Sequence, residues 1–149
     1  LTSIASAIQS SFRYEPRDEP GTQTPDETLR RGAGSCRDFA LLMMEVARRL
    51  GMAARFVSGY LYDPSVDNAA DAGVIGAGAT HAWLHIYLPG AGWVPFDPTN
   101  ALLGGSSLIR VAYARDADLA APVSGRWFGE ASDFLNMEVN VQVRRIGSE

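Results

Sequence analysis

Two kinds of reactive side chain are scarce enough in this chain to be followed one by one. The 149 residues contain one cysteine, Cys36, and two histidines, His81 and His85. A thiolate can attack a carbonyl carbon when a base takes the thiol proton and an acid orients that base. Asp97 is the candidate acid, because it ends a strand-like segment that follows the histidines. The chain therefore contains the parts of a Cys-His-Asp nucleophilic site.

Each of these residues also has an ordinary structural interpretation. A free cysteine such as Cys36 is often a small buried hydrophobic residue, and an Asp before a proline, as at Asp97, commonly forms a turn. We favour a structural role for His85. We favour His81 as the base, because it stands where a strand begins, beside a long loop over residues 63–79. A metal site made of these four residues is a weaker hypothesis, because their spacing is not that of a zinc site.

Cys36 lies where a helix is predicted to begin. Apolar residues recur after it at helical spacing, namely Phe39, Leu42, Met43, Val46 and Leu50. Ser35 is a suitable N-cap, and Asp38 is the aspartate version of the capping-box acid. We therefore predict a helix over residues 36–50. Unpaired backbone N–H groups in its first turn would stabilise a thiolate at Cys36.

The segments after this helix have the alternating or β-branched pattern of strands. They are residues 54–62, 80–88, 92–97 and 135–144, and residues 108–114 are a candidate fifth strand. The strands are grouped after the helices, with no helix between each pair of them. This order predicts an α+β fold with an antiparallel sheet.

The hairpin between the second and third predicted strands decides where Asp97 lies. A regular hairpin that pairs Leu88 with Trp93 places Asp97 opposite Leu84, on the face away from His81. A contact between His81 and Asp97 then requires a bulge, a register shift or a bend. The proline and glycines nearby could supply one.

The N-terminal part of the chain supplies the remaining predicted elements. Leu1, Ile4, Ile8 and Phe12 recur at helical spacing and predict a short amphipathic helix. Residues 13–31 are polar and contain three prolines, which favours an extended crossing segment over a helix. We expect a single domain over residues 1–149. Because the chain begins with Leu rather than Met, we expect it to be a fragment of a longer protein.

Composition excludes several classes of partner. All thirteen basic residues are arginine, and the formal net charge is -4. This balance gives no electrostatic reason to expect nucleic acid or acidic lipid as a partner. No apolar run approaches the ~18 residues that span a bilayer. We expect a cytoplasmic protein that acts on a peptide or protein substrate, with no cofactor, no metal and no membrane partner.

Four separated segments carry recognisable motifs, namely residues 32–40 (GAGSCRDFA), 55–60 (RFVSGY), 81–83 (HAW) and 92–100 (GWVPFDPTN). In this order they resemble the bacterial transglutaminase-like superfamily, whose members are often described as cysteine proteases. The resemblance covers most of the chain from about residue 24 onward. It implies a papain-like α+β fold, in which an antiparallel sheet packs against the helix that bears the nucleophile. It also implies Cys36 as nucleophile, His81 as base and Asp97 as orienting acid.

The resemblance implies substrate contacts as well. Tyr60 and Trp83 lie within two of these segments, and Arg115 and Asp116 lie in residues 114–122 (ARDADLAAP). The last segment is similar to the family's Gly-Arg-Asp-Tyr-x-Asp-Val-x-Pro stretch, but it has Ala, Ala and Leu where the family has Gly, Tyr and the second Asp. The aromatic side chain of that stretch is therefore missing. A solvated ion pair is an equally good interpretation of Arg115 and Asp116.

Two functions follow from these residues. The first is cysteine-dependent acyl transfer or hydrolysis on peptide or glutamine amides through a thioester. Water as acceptor makes a peptidase or deamidase, and an amine as acceptor makes a transglutaminase. Because the same residues serve both outcomes, the motifs do not separate them. The alternative is a non-catalytic module that binds a peptide or protein on the same fold.

Overall fold

The computed structural model describes residues 1–17, 20–62, 80–122, 125, 128–133, 135–136 and 141. The predicted loop over residues 63–79 lies outside the described residues, and so does most of the predicted last strand over residues 135–144. Among the residues that are described, no helix has both the length and the apolar character that crossing a membrane requires.

The chain opens with a helix, α1, that spans Thr2–Ser11. Ala5 and Ile8 are buried on its inner face, which confirms the predicted amphipathic helix. The two-residue strand β1 (Arg13–Tyr14) follows and pairs in parallel with β2 (Ala33–Gly34). This pairing brings the segment after α1 beside the segment that leads into the cysteine.

A second helix, α2, occupies Pro25–Arg31. The prediction that residues 13–31 are extended is therefore wrong over this part. The hydroxyl of Thr24 accepts a hydrogen bond from the backbone N–H of Glu27 at 3.2 Å, which caps the helix. Gly32 ends it with a left-handed φ of 59°. A proline fits the first helical position because the missing N–H has no partner there, so Pro25 begins a helix instead of preventing one.

The helix that bears the cysteine, α3, spans Cys36–Arg49. It begins at the predicted residue and ends one residue before the predicted end. Ser35 and Asp38 form the predicted capping box at its start. Phe39 and Met43 are among the buried residues on its apolar face.

Within the described residues, five strands form the main sheet, and every neighbouring pair is antiparallel. They are β3 (Ala54–Leu61), β4 (Thr80–Leu88), β5 (Gly92–Asp97), β6 (Leu102–Leu103) and β7 (Leu108–Ala114). Their order is β6-β5-β4-β3-β7. The four predicted strands that lie within the described residues have the predicted bounds, apart from β3, which ends one residue earlier, and β6 is an addition. The predicted α+β fold with an antiparallel sheet is confirmed.

Helix α3 packs against one face of this sheet. Phe56 of β3, Leu84 of β4 and Phe96 of β5 stand opposite one another on that face, and all three are buried. Together with the apolar face of α3 they form the core. Each large apolar side chain contributes about 1.5–3 kcal/mol when it is fully buried. The packing therefore holds the N-terminus of α3 in a fixed position relative to β4 and β5.

The β4–β5 hairpin determines the face on which Asp97 lies. The structure pairs Leu88 with Gly92 instead of Trp93, so of the three ways to bring Asp97 to His81 it has the register shift. Gly92 has a left-handed φ of 76°, which a glycine adopts readily and which suits the end of a three-residue hairpin loop. A one-residue change of register moves every side chain of β5 to the opposite face. Asp97 consequently shares a face with His81, and the ladder needs no bulge.

Candidate active site

Cys36 is the first residue of α3, and the turn before it is fixed by hydrogen bonds. The buried carboxylate of Asp38 accepts hydrogen bonds from the backbone N–H and the hydroxyl of Ser35, both at 2.8 Å. A Cβ on Gly34 would lie 2.9 Å from the Cβ of Asp38, so this close approach requires glycine. Cys36 itself is 8% exposed. The thiol thus lies at a rigid helix N-terminus, where backbone N–H groups lack helical partners.

Asp38 also connects this turn to Arg17 and Gln23, through an ion pair and a hydrogen bond. Its carboxylate accepts a hydrogen bond from the backbone N–H of Gln23 at 2.6 Å and pairs with the guanidinium of Arg17 at 2.9 Å. Burial alone would raise the pKa of Asp38, but the hydrogen bonds from Ser35, Gln23 and Arg17 lower it below its ordinary value. The ionised carboxylate therefore links three segments of the chain just before the cysteine.

His81 and Asp97 form a hydrogen-bonded pair that is enclosed by the protein. Nε2 of His81 lies 2.8 Å from Oδ2 of Asp97, and neither side chain is exposed. The other oxygen of Asp97 accepts a hydrogen bond from the backbone N–H of Thr99 at 2.9 Å, and the side-chain amide of Asn100 donates to Oδ2 at 2.9 Å. These donors hold the carboxylate in place beneath the imidazole.

The electrostatics of the pair favour charged forms. Burial lowers the pKa of His81, but the hydrogen bond to Asp97, interaction with Cys36 and the charge of Asp97 outweigh it and raise the pKa to about 9. Burial likewise raises the pKa of Asp97, and the hydrogen bond and charge of His81 overcome this and lower it. At neutral pH the pair is therefore an imidazolium beside a carboxylate.

The imidazole of His81 also interacts with Cys36. Cys36 is close enough to contribute to the raised pKa of His81, both as a hydrogen-bond partner and as a charge. Among the described residues, however, Nδ1 of His81 has no partner that meets the distance and angle requirements of a hydrogen bond. The thiol and the imidazole are therefore neighbours without a fixed hydrogen bond, an arrangement that tightens only when a substrate is bound in many cysteine and serine enzymes.

His85 lies on the same strand face but belongs to a different group of side chains. Its Nδ1 lies 3.2 Å from a guanidinium nitrogen of Arg55. The central carbon of the same guanidinium lies 4.2 Å from the centre of the Trp93 ring and 3.9 Å from the centre of the Tyr113 ring. Burial, followed by the charges of Arg55 and Arg110, lowers the pKa of His85 to about 4. His85 is therefore neutral above pH 5 and accepts a hydrogen bond from an arginine instead of facing the thiol.

The four residues predicted to contact substrate lie in different environments. Trp83 is fully buried and its ring stacks on that of His81, with 6.0 Å between the ring centres. Tyr60 is half-buried on β3, opposite Thr80. Arg115 and Asp116 form an ion pair of 3.6 Å with side chains that are 86% and 55% exposed. The structure therefore brings Trp83 to the His81 ring, and it places the Arg115 and Asp116 pair in solvent.

One residue near the thiol escaped the sequence-based prediction. Tyr14 of β1 lies opposite Gly34 of β2, and its ring packs edge-on against Phe39 of α3. Burial, followed by interaction with Cys36, raises the pKa of Tyr14 to about 12. The polar segment from which Tyr14 comes offered no local signal, because the contact depends on a pairing between segments twenty residues apart.

The side-chain types that bind metal ions do not cluster in the described part of the chain. There, no group of three or more His, Cys, Asp or Glu side chains is placed so that it could hold a metal ion. His81 and Asp97 are instead hydrogen-bonded to each other.

Comparison with known families identifies the fold that holds these residues. The model of the Transglutaminase-like superfamily (Transglut_core) matches residues 1–98, which include Cys36, His81 and Asp97. The chain belongs to the transglutaminase-like superfamily. The resemblance found in the four sequence motifs is confirmed by this match.

Relatives of this transglutaminase-like chain include mycobacterial proteins. It is 35% identical to the uncharacterised protein ML0607 of Mycobacterium leprae over 95% of this chain and 49% of that protein. It is also 35% identical to the uncharacterised protein Rv2569c of Mycobacterium tuberculosis, over 96% of this chain and 46% of that protein. The chain thus spans about half the length of the curated relatives that it matches.

Solved structures share the transglutaminase-like core. A protein of Cytophaga hutchinsonii, solved under the name "Putative Cysteine Protease", superposes with a TM-score of 0.62 and 29% identity, over 80% of this chain and 37% of that one. LapG of Legionella pneumophila superposes with a TM-score of 0.55 and 17% identity, over 76% of this chain and 62% of that one. The second likeness concerns the fold alone.

Proposed function

We propose that this transglutaminase-like domain is a cysteine-dependent enzyme that transfers or hydrolyses acyl groups of peptide or glutamine amides. The observation that supports it best is the buried hydrogen bond of 2.8 Å between His81 and Asp97, and Cys36 is among the groups that raise the pKa of His81. A thiol, an imidazole and a carboxylate in this order are the parts of a nucleophilic site. The name of the Cytophaga hutchinsonii neighbour agrees with this proposal.

The nucleophile in this proposal is the thiolate of Cys36. The imidazolium of His81 stabilises it by charge, and the unpaired N–H groups of the first turn of α3 add the positive end of the helix dipole. Asp97 holds the imidazole in one orientation and offsets its positive charge. Because His81 carries its proton at neutral pH, the acid that the departing amine needs is present before the substrate arrives.

The chemical steps balance without a cofactor. Sγ of Cys36 bonds to the amide carbonyl carbon, and the carbonyl oxygen becomes an oxyanion that accepts a hydrogen bond from the backbone N–H of Cys36. The carbon–nitrogen bond breaks as His81 gives its proton to the departing amine, and a thioester remains. Water or a second amine then attacks the thioester, His81 takes the proton of the attacking group, and Cys36 is released as thiolate.

The proposed substrate is a peptide or a protein, and the acceptor decides the product. Hydrolysis of a backbone amide is proteolysis, hydrolysis of a glutamine side chain is deamidation, and capture by a primary amine is transamidation. All three begin with the same thioester. One mass-spectrometric experiment distinguishes them.

The test is incubation of the purified domain with a library of glutamine-containing peptides, with and without a primary amine. Fragment masses indicate proteolysis, a gain of about one mass unit indicates deamidation, and an amine adduct indicates transfer. Cys36→Ala should abolish every product, because it removes the nucleophile. A library that yields no product dependent on Cys36, together with retained peptide binding, would favour the binding module instead.

The two histidines provide a matched pair of variants. His81→Gln should reduce product formation by at least about a hundredfold, since general acid–base catalysis contributes about 10²–10⁴-fold. His85→Gln removes the same kind of side chain from the same strand face, but from the group that contacts Arg55. It should retain most of the activity. Equal losses in the two variants would contradict the assignment of His81.

A further inference from the structure

Tyr14 is held beside the nucleophile by its backbone. It lies opposite Gly34 in the parallel pairing of β1 with β2, and the N–H of Glu15 donates to the carbonyl oxygen of Gly34 at 2.9 Å. Gly34 stands two residues before Cys36. The strand pairing therefore fixes Tyr14 next to the turn that leads into α3.

The ring of Tyr14 is fixed as well. It packs edge-on against Phe39, with 6.5 Å between the ring centres and 65° between the ring planes. Phe39 follows Cys36 by three residues on α3, so the two side chains lie on the same side of the helix. Phe12 packs edge-on against the same ring of Phe39 with 5.9 Å between centres. Tyr14 is thus positioned over the first turn of α3, which begins with Cys36.

The ionisation of Tyr14 is consistent with this contact. Burial, followed by the charge of Cys36 and a hydrogen bond with it, raises the pKa of Tyr14 to about 12, and the positive charge of Arg37 opposes this only in part. The phenol therefore stays neutral at physiological pH. A neutral phenol can donate a hydrogen bond, and a thiolate accepts one.

We propose that Tyr14 stabilises the nucleophile by donating the hydrogen bond of its hydroxyl to the Sγ thiolate of Cys36. The inference rests on the proposed function, in which Cys36 attacks as a thiolate. It adds a residue that neither the motifs nor the family resemblance assigned. A hydrogen bond to an ion is stronger than one between neutral groups, so the loss of this hydroxyl should be measurable at the thiol.

The other charged and titratable groups around Cys36 act differently from Tyr14. From β4 comes His81, with Asp97 of β5 behind it, and α3 itself contributes Arg37 and Asp38. These groups act through their charges. Replacing Tyr14 with Phe removes one hydrogen-bond donor and leaves the ring and every charge in place.

The test is the rate of alkylation of Cys36 by iodoacetamide as a function of pH. In the wild-type domain the low-pH limb of the profile should have a midpoint well below about 8.5, the ordinary pKa of a thiol. In Tyr14→Phe the midpoint should rise by about one pH unit, which corresponds to about tenfold less thiolate at a pH below both midpoints. Tyr113→Phe is the control, because it removes a hydroxyl from an exposed ring that stacks on Arg55. Its midpoint should equal that of the wild type.

The outcomes separate the two proposals. A wild-type midpoint near 8.5 would overturn the activated nucleophile and, with it, the role of Tyr14. A low wild-type midpoint that Tyr14→Phe leaves unchanged would overturn the role of Tyr14 alone. A reciprocal measurement decides the question even if Tyr14→Phe fails to fold. In Cys36→Ala the pKa of Tyr14, followed by NMR of ¹³C-labelled tyrosine, should fall towards its ordinary value, and an unchanged pKa would overturn the inference.

Discussion

The hydrogen bond between His81 and Asp97 should be visible in the pH dependence of stability. The perturbation is Asp97→Asn, made in a Cys36→Ala background so that no thiol titrates. Asparagine has nearly the shape of aspartate but carries no charge. With asparagine at position 97, no carboxylate offsets the lowering of the His81 pKa by burial. The imidazole should therefore remain neutral across the neutral and alkaline range.

The expected magnitude follows from the pKa of His81. That pKa is about 9 in the folded protein and 6.5 for an ordinary histidine, a difference of about 2.5 pH units. At about 1.36 kcal/mol for each unit, the protonated state of His81 contributes about 3 kcal/mol to folding. Because Cys36 supplies part of the raised pKa, 3 kcal/mol is the upper bound in a background that lacks the thiol.

The sign of the effect is set by proton linkage. A group whose pKa is higher in the folded state contributes stability that is complete below its unfolded pKa and is lost as the pH rises through its folded pKa. With Asp97 present, the free energy of unfolding should therefore fall by as much as about 3 kcal/mol between pH 6.5 and pH 9.5. In the Asp97→Asn variant it should be nearly constant over this range.

Urea denaturation followed by tryptophan fluorescence measures this difference. The chain has no lysine, and the pKa of His85 is about 4, so few other groups titrate in the same window. Asp116→Asn in the same background removes an exposed carboxylate and should keep the full pH dependence. The same slope with and without Asp97, or a stability that rises with pH, would refute the proposed coupling between His81 and Asp97.

Two further variants test how the site is supported. Gly59→Ala should lower the free energy of unfolding by about 3 kcal/mol or prevent folding. The reason is that a Cβ would lie 2.9 Å from the Trp83 ring and would overlap the carbonyl oxygen of Ile109. A loss below about 0.5 kcal/mol in denaturant melts would contradict this. Asp38→Asn should cost about 3 kcal/mol at pH 7, since it removes the charge from a buried ion pair. Since the pKa of Asp38 is lowered in the folded state, this cost should shrink as the pH falls towards 3, and a cost independent of pH would count against the ion pair.

The elements that carry strong local signals could be predicted from the sequence. The start of α3 at Cys36 is marked by Ser35, by Asp38 and by the apolar spacing that follows, and the structure places it there. The bounds of β4 and β5 agree with the alternation of apolar and polar residues. These signals are local, because a cap and a repeat period each need only a few neighbouring residues.

The error at residues 25–31 and the undecided hairpin register have a common physical source, which is that one local pattern fits two structures. The prolines of residues 13–31 usually break helices, yet Pro25 occupies the one helical position that tolerates proline. The alternation of residues in the hairpin fits two registers one residue apart equally well. The glycine at 92 decides between them, because its left-handed φ closes a three-residue loop.

The site itself was only partly predictable. The candidates Cys36, His81 and Asp97 could be selected by residue type and motif, but the distances between them depend on the packing of α3 and on the hairpin register. Tyr14 could not be selected, because nothing in its neighbourhood marks it as a partner of a residue twenty-two positions away. Contacts of that kind are made by tertiary structure and leave no local pattern.

The short loop between β4 and β5 has a consequence for how relatives of this domain should be aligned. An insertion or deletion of one residue at positions 89–91 changes no residue of the site, yet it would turn the carboxylate at position 97 towards the core. Under the proposed function, such a length variant should abolish activity, as a substitution of the carboxylate itself should. When relatives are aligned, a gap in this loop therefore predicts that the carboxylate does not face the histidine. The length of the loop should be checked together with the residue aligned to Asp97.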